Sequence, residues 1–220
     1  MNIRPQDLAR LGYEQLDELD HTELIPFVQE NLRRRNLWSV FYWSINILGL
    51  LGIVYLFWES RSVDDFDFWD GLKFGGLGVA ASLLLIPAHE GIHALAYRIV
   101  GAKKTSFDAN WRQFYFMAIA DKFVANRREF QIVALAPFVM ITLGFLLPSF
   151  ALPLAWRFGL WALVLTHASF CAGDFGLLSY FAFRRHWELV TYDDKGNKIS
   201  YFFGKRSAKP KEEEVAQDWT

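Results

Sequence analysis

The amino-acid sequence predicts an all-α membrane protein, a four-transmembrane-helix bundle with a small cytoplasmic β element. Hydrophobic residues make up 53% and aromatic residues 17% of the 220 residues, and mean hydropathy is +0.12 although both ends are polar. The apolar residues are gathered into long uncharged runs separated by short charged segments. Basic residues alternate between the two sides of these runs, as they do in multi-pass membrane proteins.

Four apolar runs are long enough to cross a bilayer. They cover residues 39–58, 74 to about 97, 130 to about 152, and 158–183. The first run alone gives about 30 Å of helix, the thickness of the hydrocarbon core. One such run could be a buried helix of a soluble protein, but four in one chain favour transmembrane helices.

The charged residues between the runs predict the orientation. The basic flanks comprise Arg33, Arg34 and Arg35 before the first run; Arg98, Lys103, Lys104, Arg112, Lys122, Arg127 and Arg128 between the second and third; and Arg184 and Arg185 after the fourth. The other connections hold Glu59, Asp64, Asp65, Asp67 and Asp70 with only Arg61 and Lys73, or the single Arg157. This alternation predicts a multi-pass integral membrane protein with both termini in the cytoplasm.

The predicted organisation has three parts. Residues 1–37 form a cytoplasmic N-terminal segment, in which leucines among charges suggest one or two short amphipathic helices. Residues 38–186 form the four-helix membrane domain. Residues 187–220 form a cytoplasmic hairpin over 188–203, with its turn at 194–197, and a tail that we expect to be disordered beyond Gly204.

The second run carries the candidate chemistry. His89 and His93 are four residues apart, so both can direct a ring nitrogen at one ion from one helical face. Glu90 lies beside them, where it can accept a proton from metal-bound water, and Zn²⁺ suits two imidazoles and an open position. Ionisable groups in an apolar helix are costly and mark function. The alternative is a structural hydrogen-bonded cluster.

Depth in the membrane selects the third ligand. His89 and His93 lie roughly 12–18 Å from the cytoplasmic end of their helix, and Asp174 lies about 14 Å from the same side. His167 shares the face of Asp174 but lies about 10 Å further toward the outside. We therefore predict Asp174 as the ligand, and His167 as a residue that hydrogen-bonds behind the ligands or lies in the interior of the helix bundle. The alternative for Asp174 is pairing with an arginine or a backbone group.

These residues resemble a membrane family of zincin peptidases. The resemblance rests on residues 89–96, on Gly101-Ala102-Lys103, on Ala136-Pro137-Phe138 and on Gly173-Asp174, and spans about residues 70–182. The chain is more distantly similar to site-2-protease-type intramembrane metalloproteases. The resemblance implies metal ligands at His89, His93 and Asp174 and a catalytic role for Glu90.

The resulting hypothesis is a zinc-dependent peptidase that cleaves peptide bonds in or near the membrane on the cytoplasmic side. Its expected partners are the lipid bilayer and a protein substrate in or beside the membrane, with no nucleic acid. Aromatic segments within 103–121 predict a short sheet near the site, or an interfacial aromatic belt. Asn46 is a further candidate near the site. The alternatives are a non-catalytic metal-binding adaptor and a membrane haem protein.

Overall fold

The computed structural model describes residues 3–63, 66–110 and 115–206. The helices are α1 (Leu24–Arg33), α2 (Leu37–Ser60), α3 (Phe68–Leu84), α4 (Ile86–Ile99), α5 (Arg127–Ser149), α6 (Leu154–Phe170) and α7 (Ala172–Phe183). The strands are β1 (Glu14–Asp20), β2 (Ser106–Asn110), β3 (Tyr115–Ile119), β4 (Ala125–Asn126), β5 (Trp187–Asp194) and β6 (Ile199–Arg206). The expected disordered tail from residue 207 onward lies outside the described residues.

The apolar runs form two kinds of helical unit. Within the described residues, α2 and α5 are each long and apolar enough to cross a membrane. The other two runs are pairs, α3 with α4 and α6 with α7, bent by 44° and 46°. The candidate spans therefore number two, or four if each bent pair is one span.

The first bend lies at Leu85, two residues before Pro87. Proline has no N–H to donate to the preceding turn, and its fixed φ suits the first turn of a helix. Pro87 accordingly lies in the first turn of α4. The second bend, at Cys171, has no proline within residues 154–183. Its ψ of 9° opens the turn while Cys171 N–H still bonds the His167 carbonyl at 3.1 Å.

The outer halves of the bent pairs, α3 and α6, cross at two glycines. A Cβ atom on Gly78 would lie 1.9 Å from the carbonyl oxygen of Gly159, so only glycine permits this approach. By contrast, a Cβ atom on Gly76, two residues earlier in α3, would meet open space. α6 also packs against α2 and α5, which makes it the central helix of the bundle.

A four-stranded antiparallel sheet lies at one end of the helices, in the order β1-β6-β5-β4. The predicted C-terminal hairpin is confirmed as β5 and β6. The prediction of helix over residues 5–37 is confirmed for α1 but wrong for residues 14–20, which form β1 against β6. Leu16 and Leu19 have helical spacing, and the strand depends on a partner distant in sequence.

The predicted short sheet within 103–121 is confirmed as the β2–β3 hairpin. Lys195 and Lys198, in the turn between β5 and β6, hold it in place. Lys195 Nζ donates to the carbonyl of Phe107 at 3.5 Å, and Lys198 Nζ lies 3.6 Å from an Asp108 carboxylate oxygen. The four-stranded sheet and the β2–β3 hairpin thus lie beside the C-terminal end of α4 and the N-terminal end of α5.

Candidate metal centre

Helix α4 presents three ionisable side chains immediately after the first bend. His89, Glu90 and His93 lie in its first two turns, and Glu90 and His93 are each only 8% exposed. The spacing of four residues places the two imidazoles on one face, with ring centroids 4.7 Å apart. Their Nε2 atoms are 3.0 Å apart. Two ring nitrogens therefore converge on one point.

Asp174 reaches the same point from the first turn of α7, after the second bend. Its Oδ1 lies 3.2 Å from His93 Nε2, and its Oδ2 lies 3.5 Å from His89 Nε2. The partial positive charge at a helix N-terminus favours a carboxylate in this position. The structure thus brings together the three residues that the sequence selected as ligands.

The separation of these donor atoms fits zinc. A tetrahedral zinc with bonds of about 2.0–2.1 Å to nitrogen and oxygen holds its ligands about 3.3 Å apart. The three observed separations, 3.0, 3.2 and 3.5 Å, lie around that value. Two imidazoles and one carboxylate are also a ligand set that catalytic zinc accepts.

The hydrogen bond of His93 Nδ1 fixes which nitrogen is available to a cation. Nδ1 lies 2.9 Å from the carbonyl oxygen of Val133. A carbonyl only accepts, so Nδ1 carries the hydrogen and Nε2 of the neutral ring presents a lone pair. Val133 is four residues before Pro137, which has no N–H for that carbonyl. Pro137 inside α5 therefore leaves the Val133 carbonyl to His93.

His167 contacts His89 on the side away from Asp174. His167 Nε2 lies 3.0 Å from His89 Nδ1. A straight helix would have placed His167 about 10 Å outward from Asp174. The bend at Cys171 redirects the chain between them, and His167 lies beside the ligand pair. An Nδ1–H of His89 donating to His167 leaves its Nε2 directed at Asp174 and His93.

A second group of donors shares His89. The donor atoms of His89, His167 and Cys171 lie within 4.8 Å of one another. Cys171 Sγ is 3.9 Å from both ring nitrogens of His167, so it is directed at neither nitrogen in particular. The closer separations and the carboxylate charge favour the set of His89, His93 and Asp174.

Glu90 is held by the β2–β3 hairpin. Its Oε2 accepts the backbone N–H of Ala118 in β3 at 2.7 Å. Within the described part of the chain its Oε1 has no hydrogen-bond partner. One oxygen is thus positioned by the backbone, and the other can take a proton.

One comparison with known proteins gives a match. Residues 82–186 match the model of the family described as putative zincin peptidase. The predicted resemblance to zincin peptidases is thereby confirmed over about half of the chain, and zinc is the cofactor that this family implies. No curated protein and no solved structure matches the chain. The similarity to site-2 proteases stays a prediction.

Residues within 82–186 line part of a cavity of about 160 Å³. The cavity is also lined by residues outside 82–186, among them Leu19, Leu24, Asp193 and Ser200. Sequence reasoning missed these, because they belong to β1, α1, β5 and β6, which only tertiary packing brings to the cavity. It also missed Tyr97, which lies one helical turn after His93 and lines the cavity. The Tyr97 hydroxyl has no hydrogen-bond partner among residues 3–63, 66–110 and 115–206.

Asn46, the remaining candidate, lies between α2 and α6. Its amide nitrogen donates to the carbonyl of Tyr42 at 2.9 Å, and its amide oxygen accepts from Ser169 Oγ at 2.7 Å. Among the described residues it does not line the cavity. The structure therefore does not bring Asn46 to the zincin site.

Proposed function

We propose that this chain is a membrane-embedded zinc peptidase that hydrolyses peptide bonds in or near the membrane, on its cytoplasmic side. One observation carries the proposal. Two imidazole nitrogens and a carboxylate converge within 3.0–3.5 Å, with the buried carboxylate of Glu90 beside them. His89, His93 and Asp174 are the proposed zinc ligands, with His167 and the Val133 carbonyl behind the two imidazoles.

The proposed reaction is addition of water to a peptide carbonyl. When bound, zinc polarises the carbonyl and lowers the pKa of water. Glu90 accepts the proton that the attacking water loses and delivers it to the nitrogen as the C–N bond breaks. Ala118 N–H keeps Glu90 in place through both transfers, and Tyr97 is available to donate to the carbonyl oxygen of the substrate.

Membrane embedding is supported by the surface of the long helices. Leu48, Leu50, Leu51 and Val54 of α2 are each more than half exposed. A contiguous apolar surface of this kind is rare on soluble monomers and typical of lipid-facing helices. The bilayer and a membrane or membrane-proximal polypeptide are therefore the proposed partners.

The cytoplasmic orientation is supported by where the basic flanks lie. Arg34, Arg127 and Arg184 are all at the helix ends that carry the sheet, whereas the opposite ends hold Asp67 and Asp70. We expect reporters fused after Lys211 or within residues 98–128 to be cytoplasmic, and one within 64–70 to be on the other side. A cytoplasmic reporter at 64–70 would contradict the four-span arrangement.

The experiment that tests catalysis is Glu90→Gln. The amide is nearly isosteric but cannot accept a proton, so turnover should fall by about 10²–10⁴-fold while zinc content stays unchanged. Cleavage of N-acetylated peptides and of reconstituted single-span substrates is measured on preparations whose zinc is quantified by mass spectrometry. The control is Glu23→Gln, which removes an exposed carboxylate and should change neither quantity.

Two results separate the peptidase from a metal-binding adaptor. A wild-type protein that holds zinc but cleaves none of these substrates is the result expected of the adaptor. Equal cleavage by wild type and Glu90→Gln would overturn the role of Glu90.

A further inference from the structure

The cavity has polar lining residues besides the proposed ligands and Glu90. Thr191 and Asp193 of β5 and Ser200 of β6 line it together with His89, Glu90 and Asp174. These strand residues lie outside the family match, which ends at residue 186. The reaction proposed above uses none of them.

Asp193 is a carboxylate without a resident cation. Its Oδ1 accepts from Ser200 Oγ at 2.6 Å. No lysine, arginine or histidine nitrogen lies within 4 Å of its carboxylate in the described part of the chain. The neighbouring lysines pair elsewhere, Lys122 with Asp194 at 3.8 Å and Lys198 with Asp108 at 3.6 Å.

His21 does not supply the missing charge. Its Nε2 lies 3.2 Å from Ser200 Oγ, so the hydroxyl stands between the imidazole and Asp193. Burial lowers the pKa of His21 and raises the pKa of Asp193. Both shifts favour the neutral forms of these groups, because a buried unpaired charge is costly. A cationic group that enters the cavity would give the Asp193 carboxylate a charged partner.

Aromatic and other apolar side chains also line the cavity. Phe123, Phe130 and Phe202 line the cavity, whose volume is about 160 Å³. Methylene stems of lysine and arginine pack on apolar surfaces while their charged ends reach a polar group.

We propose that the part of the cavity beside Asp193 is a specificity pocket for a lysine or arginine side chain of the substrate, with Asp193 as the counter-ion. The proposal rests on the peptidase function, because the pocket opens onto the proposed ligands. An N-terminal ammonium group of a substrate has the same charge, so the test uses peptides with and without an acetylated N-terminus.

The test measures binding without turnover. Zinc-loaded Glu90→Gln protein is immobilised in detergent and exposed to a random N-acetylated peptide library, and retained peptides are sequenced by mass spectrometry. We expect lysine and arginine to be enriched about tenfold at one position, the lower end of measured couplings between close charge pairs. Asp193→Asn in the same background should abolish the enrichment, since it keeps the acceptor for Ser200 but removes the charge.

Matched controls keep the result interpretable. Asp194→Asn removes a neighbouring carboxylate that does not line the cavity and should leave the enrichment intact. Replacing the enriched lysine by norleucine should weaken binding about tenfold and needs no change at residue 193.

The outcomes separate the two proposals. The pocket proposal would be overturned if no peptide were retained or if lysine and arginine were not enriched. It would also be overturned if the enrichment survived Asp193→Asn, or if replacing lysine by norleucine left binding unchanged. Enrichment seen only with free N-termini would assign the site to the ammonium group and overturn the side-chain proposal. Basic peptides that bind in this way but that wild-type protein does not cleave would overturn the peptidase function and leave the pocket standing.

Discussion

The straight helices, α2 and α5, and the two bent pairs have different roles in the molecule. α2 and α5 are long, continuous and largely apolar, and α5 stays continuous although it contains Pro137. The bent pairs carry all three proposed ligands, each within two turns after a bend. Proline alone therefore does not decide where a helix breaks.

The bends place two helix N-termini beside the same polar centre. α4 begins at Ile86 and α7 at Ala172, so His89 and Asp174 lie near the starts of their helices. The unbonded N–H groups and the partial positive charge at such starts stabilise a carboxylate in apolar surroundings. Broken helices thus provide a place for ionisable groups that an unbroken apolar helix would not tolerate.

Removing a ligand from a bent pair should have the largest effect. His93→Ala or Asp174→Ala leaves two ligands and should remove most of the zinc, measured as metal per chain. His167→Ala removes only the partner behind His89, and losing such a partner typically costs about 10–100-fold in affinity. Asn46→Ala in the straight helix α2 should leave the zinc content unchanged. Full zinc retention in Asp174→Ala with loss in His167→Ala would make His167 the third ligand.

The crossing of the bent pairs should be the next most sensitive position. Gly78→Leu forces side-chain atoms into the Gly159 backbone and should destabilise the protein by about 3 kcal/mol or more. The comparison is Gly76→Leu, whose added atoms meet open space. Thermal unfolding in detergent, followed by intrinsic fluorescence, measures both. Equal melting temperatures for the two variants would show that the close crossing does not hold the pairs together.

The smallest effect on zinc binding should come from a change in α5, the straight helix whose Val133 carbonyl bonds His93. Pro137→Ala restores an N–H that competes with His93 for the Val133 carbonyl. A carbonyl has two lone pairs, so zinc affinity should fall only about three- to tenfold. Pro148→Ala, in the same helix, is the matched control. Unchanged affinity in both variants would mean that the straight helices contribute nothing to metal binding.

Local sequence patterns were sufficient to locate the long apolar helical runs and to select His89, His93 and Asp174, which the structure brings together. Apolar runs and the spacing of His89 and His93 act within one helix, and the depth of Asp174 follows from a constant rise per residue. The position of His167 could not be obtained this way, because the rise is not constant across the bend at Cys171. The contact between Glu90 and Ala118 depends on the β2–β3 hairpin folding over α4, which local spacing does not encode.

The pairing of β1 with β6 has a consequence for the order in which the protein is made. Leu19 and Ser200 are opposite each other in this pairing, and both line the cavity. A ribosome releases the proposed ligands, residues 89–174, before it has synthesised β6. The nascent chain therefore acquires its metal-binding residues first and its cavity wall last. The wall of the cavity that β6 provides exists only once residues 199–206 have been translated and have paired with β1, the strand that is synthesised first.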